Sequence, residues 1–170
     1  MSWLPPEQYV QTLPNATMYA ALYFTDETGN PLALRSAAKA EAWQLPGGNV
    51  EHGDGTPFAT AVRECREETG LEFQGPPRLL LTHFLAPQSG WPCAKIGFVF
   101  DGGVLTQAEL GQIVLDPGEH VSWQVQSLES WQRTMSTRLF TRVRALSEAR
   151  RTGTATFLCD APAGAEGAIP

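Results

Sequence analysis

The sequence predicts a mixed α/β fold, an α/β or α+β sandwich around a mixed sheet, and three observations carry that reading. Short β-rich stretches recur at 17–24, 32–35, 78–85, 95–100 and 119–125. A helix pattern with an acidic flank runs from Thr56-Pro57 to Gly70, and a second, amphipathic one covers 136–151. Connections that suit hairpins occur beside a strand–helix–strand passage, so parallel and antiparallel pairs are expected in one sheet.

At 170 residues the chain fits one domain with a proper core, expected over 15–159, with an arm or short helix at 1–14 and a disordered tail at 160–170. A formal net charge of −6 argues against general nucleic-acid or anionic-membrane binding, because phosphate backbones need a basic surface. An acidic chain can still take a phosphorylated small molecule if a divalent cation bridges the two. Cys65, Cys93 and Cys159 are widely spaced and form no CxxC or Cys/His cluster, which speaks against zinc and against a disulfide framework. With no signal-peptide pattern and no apolar run of transmembrane length, a reduced, cytoplasmic location is expected.

Residues 3–14 are bracketed by proline, with Tyr9 and Leu13 on one side, and are a candidate dimer arm. The run TMYAALYF at 17–24 is nearly all apolar, as a strand buried on both faces would be. DETGN at 26–30 reads as a turn into LALR at 32–35, predicting a β-hairpin. A short strand at 43–45 enters the turn Pro46-Gly47-Gly48 and an acidic, glycine-rich loop. After the central helix, RLLLTHFL at 78–85 and KIGFVF at 95–100 are expected to pair. Residues 101–116 hold a Gly-Gly turn, and EHVSWQV at 119–125 is a late strand. Leu139, Val143 and Leu146 define the apolar face of the last helix, and 155–158 can add a small strand.

The chemistry concentrates between Leu45 and Leu71. Thr56 supplies a capping oxygen and Pro57 is pre-set for the first helical position. Phe58, Val62, Cys65 and Thr69 recur at helical spacing as an inward stripe, while Glu64, Glu67 and Glu68 share another face. Like charges at these spacings repel by a few tenths of a kcal/mol per pair, and Arg63 relieves only part of it. A cation completes such a cluster, and oxygen donors without Cys or His favour Mg²⁺ or Mn²⁺. Taken alone, a Glu-rich helix is more often a solvated face; the glycine turn and the carboxylates of Glu51 and Asp54 just upstream point instead to phosphate chemistry.

Residues 48–71 resemble the Nudix box, the loop–helix signature of the MutT-like Nudix hydrolases. That pattern asks for Gly, five residues, Glu, seven residues, then Arg-Glu-apolar-x-Glu-Glu-x-Gly-apolar. Its second half is met in full from Arg63 to Leu71. The first acid is Asp54 instead of Glu, and eight residues separate it from Arg63; the extra residue is placed at Gly55, ahead of the helix cap. The resemblance implies an α/β/α sandwich and hydrolysis by a Mg²⁺-dependent pyrophosphatase. Its substrate would be a nucleoside diphosphate linked to another moiety, a nucleoside di- or triphosphate or a nucleotide sugar such as ADP-ribose. It implies Glu64, Glu67, Glu68 and the Gly47 carbonyl as metal ligands, Glu67 and Glu68 as catalytic carboxylates, and Arg63 as the residue that orients them. It places Glu51 near the metals or as a buttress of the loop, and Glu119 as a metal ligand or the base that activates water; a solvated loop carboxylate is the plainer alternative for Glu119. The rival reading is a Nudix-fold module that binds a nucleotide without turnover. His52, His83 and His120 form no ligand set by spacing. Trp43, Trp91 and Phe84 can stack on a base or fill the core; Arg35 and Lys95 can meet phosphates or solvent.

Overall fold

A computed structural model describes residues 3–160; the expected tail at 161–170 lies outside the described residues. The fold is built on β1 (Ala16–Asp26), whose side chains alternate between two packed faces. Ala20, Leu22 and Phe24 enter one apolar cluster, and Ala21 and Tyr23 enter another. With both faces covered, no polar alternation survives, which is why 17–24 reads as a continuous apolar run.

Ahead of β1, α1 (Pro6–Tyr9) and a 3-10 turn at Val10–Thr12 bury no residue and leave Trp3, Tyr9 and Val10 exposed. After it come β2 (Leu32–Ser36), β3 (Trp43–Gln44), β4 (Gly47–Asn49), α2 (Pro57–Thr69), β5 (Leu79–Leu85) and β6 (Ala94–Leu105). The chain continues through α3 (Gln107–Leu110), β7 (His120–Val125), α4 (Leu128–Thr134), α5 (Thr137–Thr152) and β8 (Thr156–Asp160). A five-stranded sheet runs in the order β4-β1-β6-β5-β8. Pairs β1–β6 and β5–β8 are parallel and the other two antiparallel, giving the mixed sheet the sequence predicts. One face packs on α2 through Ala61 and Cys65; the other packs on α5 through Leu139, Val143, Leu146 and Ala149. Burying each of the larger α5 side chains contributes about 1.5–3 kcal/mol. The result is a helix–sheet–helix sandwich, flanked by a second sheet of order β3-β2-β7.

Three expectations need correction. The predicted hairpin of 17–24 with 32–35 does not form: β1 and β2 belong to different sheets and share only the bridge Thr25–Pro31. The Asp26 carboxylate accepts from the Thr28 and Asn30 N–H groups and closes the turn locally, and Pro31 has no N–H to extend a ladder. β2 pairs with β3 and β7 instead. The Gly-Gly pair at 102–103 is not a turn but a bulge inside β6, where the register against β1 shifts. A side chain at Gly102 would reach 2.6 Å from the Phe24 ring, and Gly103 has φ +85°. Asp160, assigned by sequence to the tail, closes β8 in register with Leu85.

Candidate active site

Thr56 and Gly70 bound α2 as their chemistry requires. The Thr56 hydroxyl accepts from the Ala59 N–H at 3.1 Å, and Gly70 ends the helix in the left-handed region at φ 71°. The inward face is rotated from the expected stripe. Thr60, Ala61, Cys65, Glu68 and Thr69 are buried, whereas Phe58 and Val62 are only half-buried. Glu68 therefore leaves the acidic flank it was expected to share with Glu64 and Glu67. It lies at the boundary between the core and the site, 3% exposed.

Two groups hold the Glu68 carboxylate there. The Gly47 N–H donates to Oε2 at 2.7 Å, and His120 Nε2 lies 2.8 Å from Oε1. Burial is the largest influence on this carboxyl and raises its pKa; the His120 and Gly47 hydrogen bonds oppose that only in part. The segment after α3 is laced to the end of α2, with the Val114 N–H on the Thr69 carbonyl and the Asp116 N–H on the Glu68 carbonyl. This lacing brings Glu119 into the site. Donor atoms of Glu68, Glu119 and His120 lie within 4.8 Å of one another, with Glu119 exposed and the other two buried.

Arg63 organises the other carboxylates. Its Nε and Nη2 each lie 3.0 Å from a different oxygen of Asp54, in a bidentate pair. Nη2 also lies 3.0 Å from Glu64, and Nη1 lies 2.8 Å from Glu67. Asp54 accepts in addition from the Glu51 N–H and the Thr60 hydroxyl. Hydrogen bonds from Arg63, the largest influence, hold the Asp54 carboxyl far below its ordinary range. An aspartate is one methylene shorter than the glutamate of the family pattern, and Gly55 adds one residue of loop ahead of the cap. The two departures occur together, and Asp54 still reaches the guanidinium. Glu51 acts on the loop through its backbone; its side chain is exposed.

The carboxylates expected to share one helix face are thus split between two anchors: Arg63 takes Glu64 and Glu67, and His120 with Gly47 takes Glu68. Gly48 links them. A Cβ at that position would sit 2.4 Å from the Glu64 carboxyl carbon, so the Glu64 head lies in a cradle that any side chain would fill. Burial raises the Glu64 pKa, with Arg63 opposing. Buried Glu68 and half-buried Glu64, raised in this way, with His120 Nε2 engaged by Glu68 and Cys65 turned into the core, fit a hard divalent cation held by oxygen. Gly48→Ala is expected to push Glu64 out of its cradle and weaken the apparent Mg²⁺ affinity about 10–100-fold, with an unchanged circular-dichroism spectrum. Mn²⁺ binding followed by electron paramagnetic resonance checks this independently of turnover.

On the other side of Gly47 and Gly48 a cleft of about 390 Å³ opens over the end of the sheet. Tyr19, Trp43, His83, Lys95, Arg138 and Arg142 line it, and among the described residues no carboxylate does. Of the residues considered from sequence, Trp43 packs edge-on against Trp131 at 4.9 Å between centroids while also facing this cleft. Arg35 is turned away, its Nε donating to the Ala40 carbonyl. His52 is exposed, whereas His83 and His120 are buried. Spacing could not single out His120, because its partner Glu68 is 52 residues away. Tyr19 and Arg142 also escaped notice. The one available signal was Gly97 inside a strand, a mark of close approach: a Cβ there would lie 2.0 Å from the Tyr19 ring.

A family model described as NUDIX domain matches residues 3–143. No curated protein matches the chain significantly. Among solved structures, the MutT protein from Methanosarcina mazei Go1 superposes with a TM-score of 0.63 at 23% identity, covering 82% of this chain and 96% of that one. An Ap4A hydrolase from C. elegans gives 0.61 at 19% identity, over 80% and 98% of the two chains. An ADP-ribose pyrophosphatase from Streptococcus suis 89-1591 gives 0.58 at 18% identity, over 85% and 98%. At these identities the likeness shows a shared fold.

Proposed function

From a chain that belongs to the Nudix family, hydrolases of phosphoric anhydride bonds, we propose a Mg²⁺- or Mn²⁺-dependent pyrophosphohydrolase that cleaves a nucleoside diphosphate linked to another moiety. The observation that supports this reading is the meeting of Glu68, Glu119 and His120 at Gly47, with Glu64 against Gly48 and joined to Glu67 through Arg63, next to a cleft that no carboxylate of the described residues lines. Glu64, Glu67, Glu68 and the Gly47 carbonyl would hold the cation. When bound, such a cation supplies positive charge against the diphosphate oxygens and acidifies the attacking water.

The chain's own groups divide the remaining work. Glycine at 47 lets β4 lie against Ala20 and Ala21 of β1, and glycine at 48 makes room for the Glu64 head, so the glutamates stand close to a loop backbone that also lines the cleft. Arg63 keeps Glu64 and Glu67 in place, and Asp54 keeps Arg63 in place. Glu68 is clamped by Gly47 and His120 and cannot swing toward a proton. Glu119 is exposed at the end of a turn and, among the described residues, is tied through its backbone alone, with the Ala37 N–H on its carbonyl. It is the carboxylate free to accept a proton from water as the P–O bond forms.

Phosphate release from a nucleotide panel, with and without Mg²⁺ and with products identified, tests the reading. Glu119→Gln is expected to lower kcat about 10²–10⁴-fold with KM little changed. Unchanged turnover would remove Glu119 from the mechanism.

A further inference from the structure

The cleft beside Gly47-Gly48 has a charge character opposite to that of the rest of the chain. In a protein of net charge −6, its ionised lining groups are Lys95, Arg138 and Arg142. Arg138 is already paired with Asp160, which leaves two cations for a ligand. Both flank one ring. Lys95 Nζ lies 5.9 Å and the Arg142 guanidinium carbon 5.8 Å from the centroid of Tyr19.

The arrangement is held in place from beneath. Gly97 lets the Tyr19 ring lie flat on the sheet. The Tyr19 hydroxyl accepts from Arg142 Nη1 at 3.1 Å and donates to His83 Nδ1 at 3.0 Å. His83 Nε2 in turn faces Asp160 at 3.3 Å. Burial, the largest influence, lowers the His83 pKa, which suits a neutral ring in that chain of bonds. Lys95 Nζ sits 3.8 Å over the Trp91 ring and donates to Asn49 at 3.1 Å, while Trp91 Nε1 is anchored on Thr17. Arg142 Nε is buried and has no hydrogen-bond partner among the described residues. The first turns of α5 contribute Ser136, Arg138 and Arg142 to the lining, so the positive end of that helix meets the cleft.

Distance separates this pair of cations from the glutamates. Asn49 pairs with Tyr19 and Gly47 with Ala21, two residues further along β1. At about 3.3 Å per residue the two rows are roughly 7 Å apart, more than the spacing of two adjacent phosphorus atoms. Glu68 is held at Gly47, the far row, and Glu64 at Gly48, the row between, so a diphosphate centred on Glu68 leaves the space around Tyr19 to a group attached to it.

We propose that Lys95 and Arg142 bind a second phosphate group, carried by the moiety attached to the diphosphate, so that the preferred substrates are diphosphate compounds ending in a phosphate monoester. Two free cations match the charge of a monoester, which is nearly −2 at neutral pH, and a carboxylate would leave one of them uncompensated. This assignment rests on the hydrolase reading for the word substrate, but its test does not. Titrations in EDTA, followed by tryptophan fluorescence and calorimetry, compare 5′-AMP and ribose 5-phosphate with adenosine and ribose. Wild type is expected to bind the phosphorylated member of each pair at least tenfold tighter. Lys95→Met and Arg142→Met are each expected to lose at least tenfold for the phosphorylated probes and to leave the others unchanged; Arg142→Lys, which keeps the charge, retains part of the affinity. Equal binding within each pair in wild type would overturn the proposal, as would unaltered phosphate preference in correctly folded Lys95→Met. A chain that shows this preference yet hydrolyses nothing sinks the hydrolase reading alone.

Discussion

Glu67→Gln is expected to lower kcat about 10²–10³-fold while leaving the melting temperature where it is. Glu67 is half-exposed and its one ion pair is the surface contact with Arg63 Nη1. A glutamine keeps an acceptor for that contact, and an exposed pair of this kind contributes no more than about 0.5 kcal/mol. What the substitution removes is a charge that a divalent cation would neutralise, together with the preorganised field at the diphosphate. Steady-state hydrolysis and thermal melting of the same sample check both halves. Turnover within a factor of about two of wild type would take Glu67 out of the site, whereas nucleotide binding without turnover in wild type would favour a module that binds without cleaving.

Glu68→Gln carries the second large effect, with opposite signs in two measurements. The Glu68 carboxyl is buried, and burial outweighs the help from the His120 and Gly47 hydrogen bonds, so its folded pKa stands above the unfolded one. A carboxyl raised in this way is favourable to folding only while protonated and loses that contribution as pH rises through its folded pKa. Ionising Glu68 therefore works against the fold. Glutamine mimics the protonated form and keeps an oxygen for the Gly47 N–H. In EDTA the variant is expected to melt about 2–4 °C above wild type, on the order of 1 kcal/mol. Its hydrolysis is expected to fall by at least about 10²-fold. Added Mg²⁺ should raise the melting temperature of wild type and leave the variant behind. A variant that melts below wild type in EDTA would show that the His120 pair, and not burial, dominates at this position. On the proposed reading, Glu68 is a group that burial disfavours in the empty fold and that a bound cation would favour, the usual trade between stability and activity at a functional position.

How much of this was legible in the sequence differs between the two halves of the central element. The helix half was readable because its signals are local: Thr56 caps it, Pro57 starts it, Gly70 ends it, and Arg63 reaches Glu67 one turn on. The loop half was not. Whether Asp54 still served Arg63 despite the added Gly55 depended on how the loop closes in space, and only the bidentate contact at 3.0 Å answers it. The failed hairpin has the same origin. A turn such as 26–30 reverses the chain, but which strand pairs with which is decided by the competing partners β3 and β7. The inward face of α2 was misjudged by about one residue because Phe58 and Val62 outrank Thr60 and Ala61 in hydrophobicity, while burial followed the sheet below.

By itself the sequence determined the class of fold, the metal-compatible helix and the family resemblance, since these rest on periodicity and on residues a few positions apart. Tertiary structure alone decided that Glu68 is clamped by His120, that Glu119 stands free beside it, and that Tyr19 carries Lys95 and Arg142 on a cationic floor. These contacts join strands and helices separated by tens of residues, 52 between Glu68 and His120 and 123 between Tyr19 and Arg142. The physical reason is that a side chain's charge and protonation are set by what lies within a few ångströms, and distance in space is not written in the spacing along the chain.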